Sequence, residues 1–192
     1  MNKGIIKEQI KASIATKQAI LENDTLMKDI WEAAQLITEA YRQGHKVMFA
    51  GNGGSAGDAQ HLAGELVNRF YFDRPGLAGL ALTTDTSVMT AIGNDYDFNI
   101  VFARQLQALG QEGDIFIGIS TSGNSSNILA ALEECKRQGI RSIGLTGETG
   151  GKMKDLCDIC LMVPSRETPR IQESHILIGH ILCCIVEENI FG

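Results

Sequence analysis

KVMFAGNGGSAGDAQHLAGEL, Lys46 to Leu66, contains three kinds of chain in 21 residues. Val47 to Ala50 are apolar without a break, as in a strand covered on both faces. Gly51 to Gly57 then hold glycine at positions 51, 53, 54 and 57. The remainder reads as a helix carrying His61 and Glu65, which share a face because residues four apart lie one turn above one another. A strand that passes through a glycine loop into a helix is the opening of a parallel strand-helix-strand unit.

The same alternation continues toward the C-terminus. "LAGLALTT", "DIFIGIS", "RSIGLTG" and "ICLMVP" read as further strands separated by helical runs. With "KVMFAG" they predict an α/β domain with a doubly wound, parallel, five-stranded sheet flanked by helices. Toward the N-terminus the pattern is helical twice between residues 3 and 43, with Asn23 and Asp24 as cap candidates between the runs and Gly44 as the stop. That predicts a helical hairpin over residues 1–45, leading into an α/β core and C-terminal helix over 46–192, all in one domain. "IQESHILIGHILCCIVEENIF" closes the chain as a helix apolar on more than one side. Such a helix has more apolar surface than one core contact needs, and packing between subunits would cover it.

Composition narrows the function. Net charge is −6, with 44% hydrophobic and 21% charged residues, so no basic field draws nucleic acid and an anionic ligand needs locally placed donors. No apolar run in the sequence reaches a membrane-spanning length, and lysines interrupt the N-terminus, so a cytoplasmic protein without a membrane partner is expected. The five cysteines (135, 157, 160, 183 and 184) are odd in number and irregular in spacing, which suits reduced thiols. Cys157 and Cys160 form a C-x-x-C, but no second pair completes a zinc site, and packing is their expected role.

In open α/β sheets, ligands sit beyond the carboxyl ends of the strands. "GNGGSAG" there matches a loose dinucleotide fingerprint through Gly51, Gly53 and Ala56, with Asp85 ending the next strand. "GISTSGNSSN", Gly118 to Asn127, places Ser120, Thr121, Ser122, Ser125 and Ser126 around Gly123 between a strand and a helix. Hydroxyls and helix N-terminal N–H groups donate to phosphate oxygens. The loop lacks a P-loop lysine, which disfavours a nucleoside triphosphate with magnesium. "TTDTSVMTAIGNDYDFN" reads as a third loop, offering Asn94 and Asp95 either as turn residues or to sugar hydroxyls. In the last helix Gln172, His175 and His180 stand among Ile and Leu, and His175 is expected to be a core histidine.

"AGNGGSAGDAQHLAGELVNRF", "GISTSGNSSN", "LTGETGGKM" and "PRIQESHILIGHIL" together resemble the sugar isomerase (SIS) family, and closely its phosphoheptose isomerase branch. The likeness covers nearly the whole chain. It implies the SIS fold, a homotetramer and conversion of sedoheptulose 7-phosphate to D-glycero-D-manno-heptose 7-phosphate, the first committed step toward the heptose of lipopolysaccharide or surface glycans. It also implies one Zn2+ per subunit on His61, Glu65, Gln172 and His180. Substrate contacts are implied at Asn52, Gly53, Gly54, Ser55, Glu65, Asn94, Asp95, Ser120, Thr121, Ser122, Ser125 and Gln172. All of these residues are present.

Ketose-to-aldose isomerisation moves a proton between C1 and C2 through an enediol, for which Glu65 would be the base and His180 the acid/base partner. Eight residues of helix rise about 12 Å, so Gln172 and His180 meet at one metal only if side chains converge, the helix starts late or subunits share the site. A site at a subunit interface is expected.

Three other readings compete. A non-catalytic SIS protein that binds the replication initiator DnaA lacks the acid at position 65 and the imidazole at position 180, and this chain has both. A dinucleotide oxidoreductase leaves the serine loop and the His61, Glu65, His180 set unexplained. An SIS enzyme for another phosphosugar is excluded only through the overall likeness.

Overall fold

The computed structural model describes residues 3–192; residues 1 and 2 of the expected hairpin lie outside the described residues. Helices α1 (Gly4–Leu21) and α2 (Asp24–Arg42) form the hairpin. Asn23 caps α2, its side-chain oxygen accepting from the Leu26 N–H at 3.0 Å, so one of the orphan donors of the first turn is satisfied.

The sheet follows as β1 (Val47–Gly51), β2 (Gly79–Ala81), β3 (Ile115–Ile119), β4 (Arg141–Thr146) and β5 (Ile159–Met162). Every pairing is parallel, in the order β2-β1-β3-β4-β5. Its helices are α3 (Gly54–Val67), α4 (Thr86–Asp95), α5 (Val101–Leu109), α6 (Ser126–Gln138) and α7 (Thr168–Phe191).

Apolar side chains on both faces explain the unbroken runs in the sequence. On β1, Val47 and Phe49 belong to a core with α2, α3 and α7. Met48 and Ala50 enter a second core with α4, α5 and α6. Burying one large apolar side chain contributes about 1.5–3 kcal/mol, so a strand exposed on either face would forgo much of that stabilisation.

One expectation is corrected. The stretch read as a third loop is mostly α4, whose N-cap Asp85 accepts from the Val88 N–H at 2.9 Å. Its apolar periodicity is short and dilute in Thr, Ser, Gly and Asn, which hid the helix from the pattern. Among the described residues α7 is the one helix long and apolar enough to cross a membrane. It buries Ile171, Ile178, Leu182 and Val186 in the core shared with α2 and α3.

Candidate active site

The strand order reverses between β1 and β3, so the loops after these strands open on either side of a crevice, the usual ligand position in such sheets. The crevice has matched walls. Asn52, after β1, and Asn127, in the first turn of α6, exchange side-chain amide hydrogen bonds at 2.9 Å in both directions.

The serine loop lies on this rim. Ser120 and Ser125 hydroxyls are 2.8 Å apart, and Ser122 Oγ accepts from the Asn124 N–H at 3.2 Å. The loop after β4 supports it from behind. Gly147 N–H donates to the Thr121 carbonyl and Met153 N–H to that of Gly123, both at 3.1 Å. The first turn of α6 has no side-chain cap; the Ile128 and Leu129 N–H groups donate to the Ser125 carbonyl, and those of Ser126 and Asn127 are left for an anion.

The second feature lies between α3 and α7. His61 Nε2 is 2.9 Å from His180 Nε2 and 3.2 Å from Glu65 Oε1. One ligand-type atom from each of the three side chains falls within 4.8 Å of the others. Two imidazole nitrogens at that distance need a shared proton or cation between them. Two histidines and a carboxylate form a donor set suited to Zn2+.

Asp58, not singled out from the sequence, adds to this. It stands on α3 three residues before His61, with Oδ2 buried and without a partner. Burial pushes its carboxyl up, while His61 and His180 pull it partly back. The signal was available in the spacing: Asp58, His61 and Glu65 fall on one helical face.

Gln172 takes a different position. Its amide nitrogen lies 2.6 Å from where a Cβ on Gly54 would be, at the start of α3, and no hydrogen bond joins it to His61, Glu65 or His180. Gly53 and Ser55 flank the same turn, Ser55 buried and Gly53 exposed. Asn94 and Asp95 close the far end of α4, exposed, with Asn94 donating to Asp95 at 2.8 Å. One chain therefore gathers His61, Glu65 and His180 in one cluster and Asn52 beside α6 and the serine loop in another, and no side-chain hydrogen bond joins Asn94 or Asp95 to either.

A cleft of about 480 Å³ runs along the β2 edge between α4 and α5. Its lining is mainly apolar, Asp85 is committed as a cap and Arg104 donates to the Tyr96 hydroxyl. It lacks the acid/base and ligating groups of the crevice, so the chemistry is assigned to the crevice. Cys157 and Cys160 are both free thiols.

His175 is fully buried, as expected, with Nε2 at 3.2 Å from the Thr146 carbonyl and Nδ1 without a partner. A protonated ring would leave an Nδ1–H with no acceptor. Burial pulls His175 from 6.5 down to about 4, against the opposing effect of the Thr146 carbonyl. Between those values the unfolded chain binds a proton that the folded chain refuses. The stability owed to neutral His175 is thus complete above pH about 6.5 and lost as pH falls toward about 4, on the order of 3 kcal/mol. Melting temperature should drop more steeply across that window in the wild type than in His175→Gln. Parallel profiles would refute this assignment.

A hydroxyl-rich loop leading into α6 and a His-Glu-His cluster, on a sheet of order β2-β1-β3-β4-β5, are the equipment of an enzyme for small phosphorylated substrates. The family model for the SIS domain matches residues 10–147. The chain is 65% identical over 186 residues to a phosphoheptose isomerase of Aneurinibacillus thermoaerophilus, covering 97% of this chain and 94% of that one. It is 62% identical over 187 residues to phosphoheptose isomerase 2 of Campylobacter jejuni, covering 97% and 93%. The solved structure of a phosphoheptose isomerase from Francisella tularensis superposes with a TM-score of 0.93 at 40% identity, over 98% of this chain and all of that one. The chain belongs to the phosphoheptose isomerase family of SIS-domain proteins, and it is an isomerase of phosphorylated sugars. These relatives lend no support to the reading as a partner of the replication initiator.

Proposed function

We propose that the enzyme interconverts sedoheptulose 7-phosphate and D-glycero-D-manno-heptose 7-phosphate, at the start of heptose supply for lipopolysaccharide or surface glycans, in the cytoplasm. The observation that carries the reading is a hydroxyl loop at the crevice together with the His61, Glu65, His180 cluster on the helix that starts at that crevice and its neighbour α7. Seven residues separate Gly54 from His61, about 10 Å of helix. An extended seven-carbon phosphate is of similar length, at about 3.5 Å for every three bonds.

Ser120, Thr121, Ser122 and Ser125 hold the phosphate together with the α6 N–H groups, and Asn52, Gly53, Gly54, Ser55 and Gln172 line the path of the sugar. Glu65 is the base that takes the proton from C1 and returns it to C2. Its Oε1 faces His61, which leaves Oε2 for the substrate proton. His180 moves a proton between the two substrate oxygens as the enediol forms and collapses. His61, Glu65 and His180 would hold Zn2+, with Gln172 as a fourth ligand once its side chain turns from Gly54, and the bound ion would supply a positive charge to polarise the carbonyl. A histidine nitrogen bound to metal cannot carry a proton, so ligation and acid/base work by His180 at Nε2 exclude each other at any one moment.

A homotetramer with shared sites completes the proposal. Ile6, Ile10 and Ile14 form an exposed apolar stripe on α1, with Met27 and Trp31 exposed on α2, and a partner subunit would cover them. Asn94 and Asp95, exposed and, among the described residues, bonded only to each other through their side chains, would reach the substrate of a neighbouring subunit.

Purified protein should turn over sedoheptulose 7-phosphate, lose at least about tenfold in kcat after chelation and regain it with added zinc. Turnover untouched by chelation would remove zinc from the mechanism. No turnover of this substrate in any metal condition would overturn the assignment of the heptose.

A further inference from the structure

Arg74 and Glu187 form an ion pair at 2.7 Å, and both side chains are 1% exposed. Neither is among the residues assigned above to substrate, metal or proton transfer. A buried pair is weak evidence for stability, because desolvation offsets the attraction. What it touches is more informative.

Arg74 lies in the segment between α3 and β2. Its Nη2 donates to the carbonyl of Glu65 at 2.9 Å and its Nη1 to that of Leu66 at 2.8 Å. It therefore caps the C-terminal turn of α3 at the backbone of Glu65 itself. Glu187 stands on α7 seven residues beyond His180, two turns along the same face. Its carboxylate also accepts the Phe70 N–H at 2.8 Å and the Tyr71 N–H at 2.7 Å. The Phe70 ring in turn packs on His180, with centroids 5.5 Å apart. Burial pushes the Glu187 carboxyl up, but the two backbone N–H groups and Arg74 outweigh it and hold it below the usual range.

We propose that Arg74 and Glu187 are positioning residues, a brace that sets α3 against α7 so that His61, Glu65 and His180 converge on one cation. The inference rests on the metal reading made under Proposed function. The brace acts at both helices: through the Glu65 carbonyl on α3, and through Phe70 against the His180 ring on α7. Groups that orient ligands in this way typically change metal affinity by about 10–100-fold when lost.

The test is zinc affinity of the chelated, refilled full chain, measured by competition with a chromophoric chelator, for wild type, Glu187→Gln and Arg74→Lys. Both variants should bind zinc at least about tenfold more weakly, with kcat lowered and KM nearly unchanged. If Glu187→Gln does not fold, Arg74→Lys, which keeps the charge and loses the planar fork, decides the matter. Leu132→Ala, in the core on the opposite face of the sheet, is the control: it should lower the melting temperature and leave zinc affinity alone. Folded variants with wild-type zinc affinity, or a control that weakens zinc as much as they do, would overturn the brace. A wild type that binds no zinc would instead overturn the metal reading beneath it.

Discussion

Glu65→Gln is expected to lower kcat by about a thousandfold, the middle of the range for losing a general base, while the melting temperature stays close to wild type. The substitution preserves size, and the Glu65 side chain is 25% exposed, so packing changes little. What disappears is the proton acceptor, together with a charge beside His61. Zinc at saturation in the assay separates the two losses: a deficit that saturating zinc repairs belongs to ligation, and one that persists belongs to proton transfer. His180→Gln should show the same persistence if its ring services the substrate oxygens. Retention of more than about a tenth of wild-type kcat by Glu65→Gln, well short of the loss expected for a base, would take the base role from this residue.

Gly123→Ala is expected to lower the melting temperature by on the order of 10 °C and to raise KM for the phosphosugar by at least about tenfold. Gly123 has φ of +65°, and a Cβ there would lie 2.1 Å from the Gly150 carbonyl oxygen. The neighbouring loop is equally tight in return, since a Cβ on Gly151 would lie 2.5 Å from the Ser122 oxygen. Left-handed backbone costs an alanine roughly 1–2 kcal/mol, and overpacking adds about 1–3 kcal/mol. In a chain of this length, each 1 kcal/mol moves the melting point by about 2–4 °C. Separating the two loops also displaces Ser122 and Ser125 from the phosphate, which is why KM should move with stability. Inhibition by inorganic phosphate, weakened in parallel, would locate the defect at the cradle. Unchanged KM in a destabilised variant would show that the serine loop does not hold the phosphate.

Much of this was legible before any coordinates. The strands could be read because both faces of β1 and β3 are apolar, a pattern that short-range periodicity records directly. The hairpin could be read because Asn23 carries a recognisable cap. His61 and Glu65 could be paired because one helix turn sets their geometry. By contrast, α4 is obscure because its ten residues hold few apolar positions, and Asp58 because a lone aspartate on a helix is ordinarily a solvated surface group. Nothing in local spacing marks Arg74 and Glu187 for burial, because Arg and Glu are usually exposed.

The sequence by itself determined the order of strand, glycine loop and helix and the inventory of hydroxyls, imidazoles and carboxylates at the strand ends. These follow from local rules of spacing and backbone freedom. Only the tertiary structure decided that His180, 119 residues from His61, meets it at 2.9 Å, that Gln172 stands by Gly54, and that a buried ion pair ties the two ligand-bearing helices together. Periodicity says which face of a helix is buried. How α7 crosses α3 depends on side chains from both helices filling one core, and that information belongs to no single stretch of the chain.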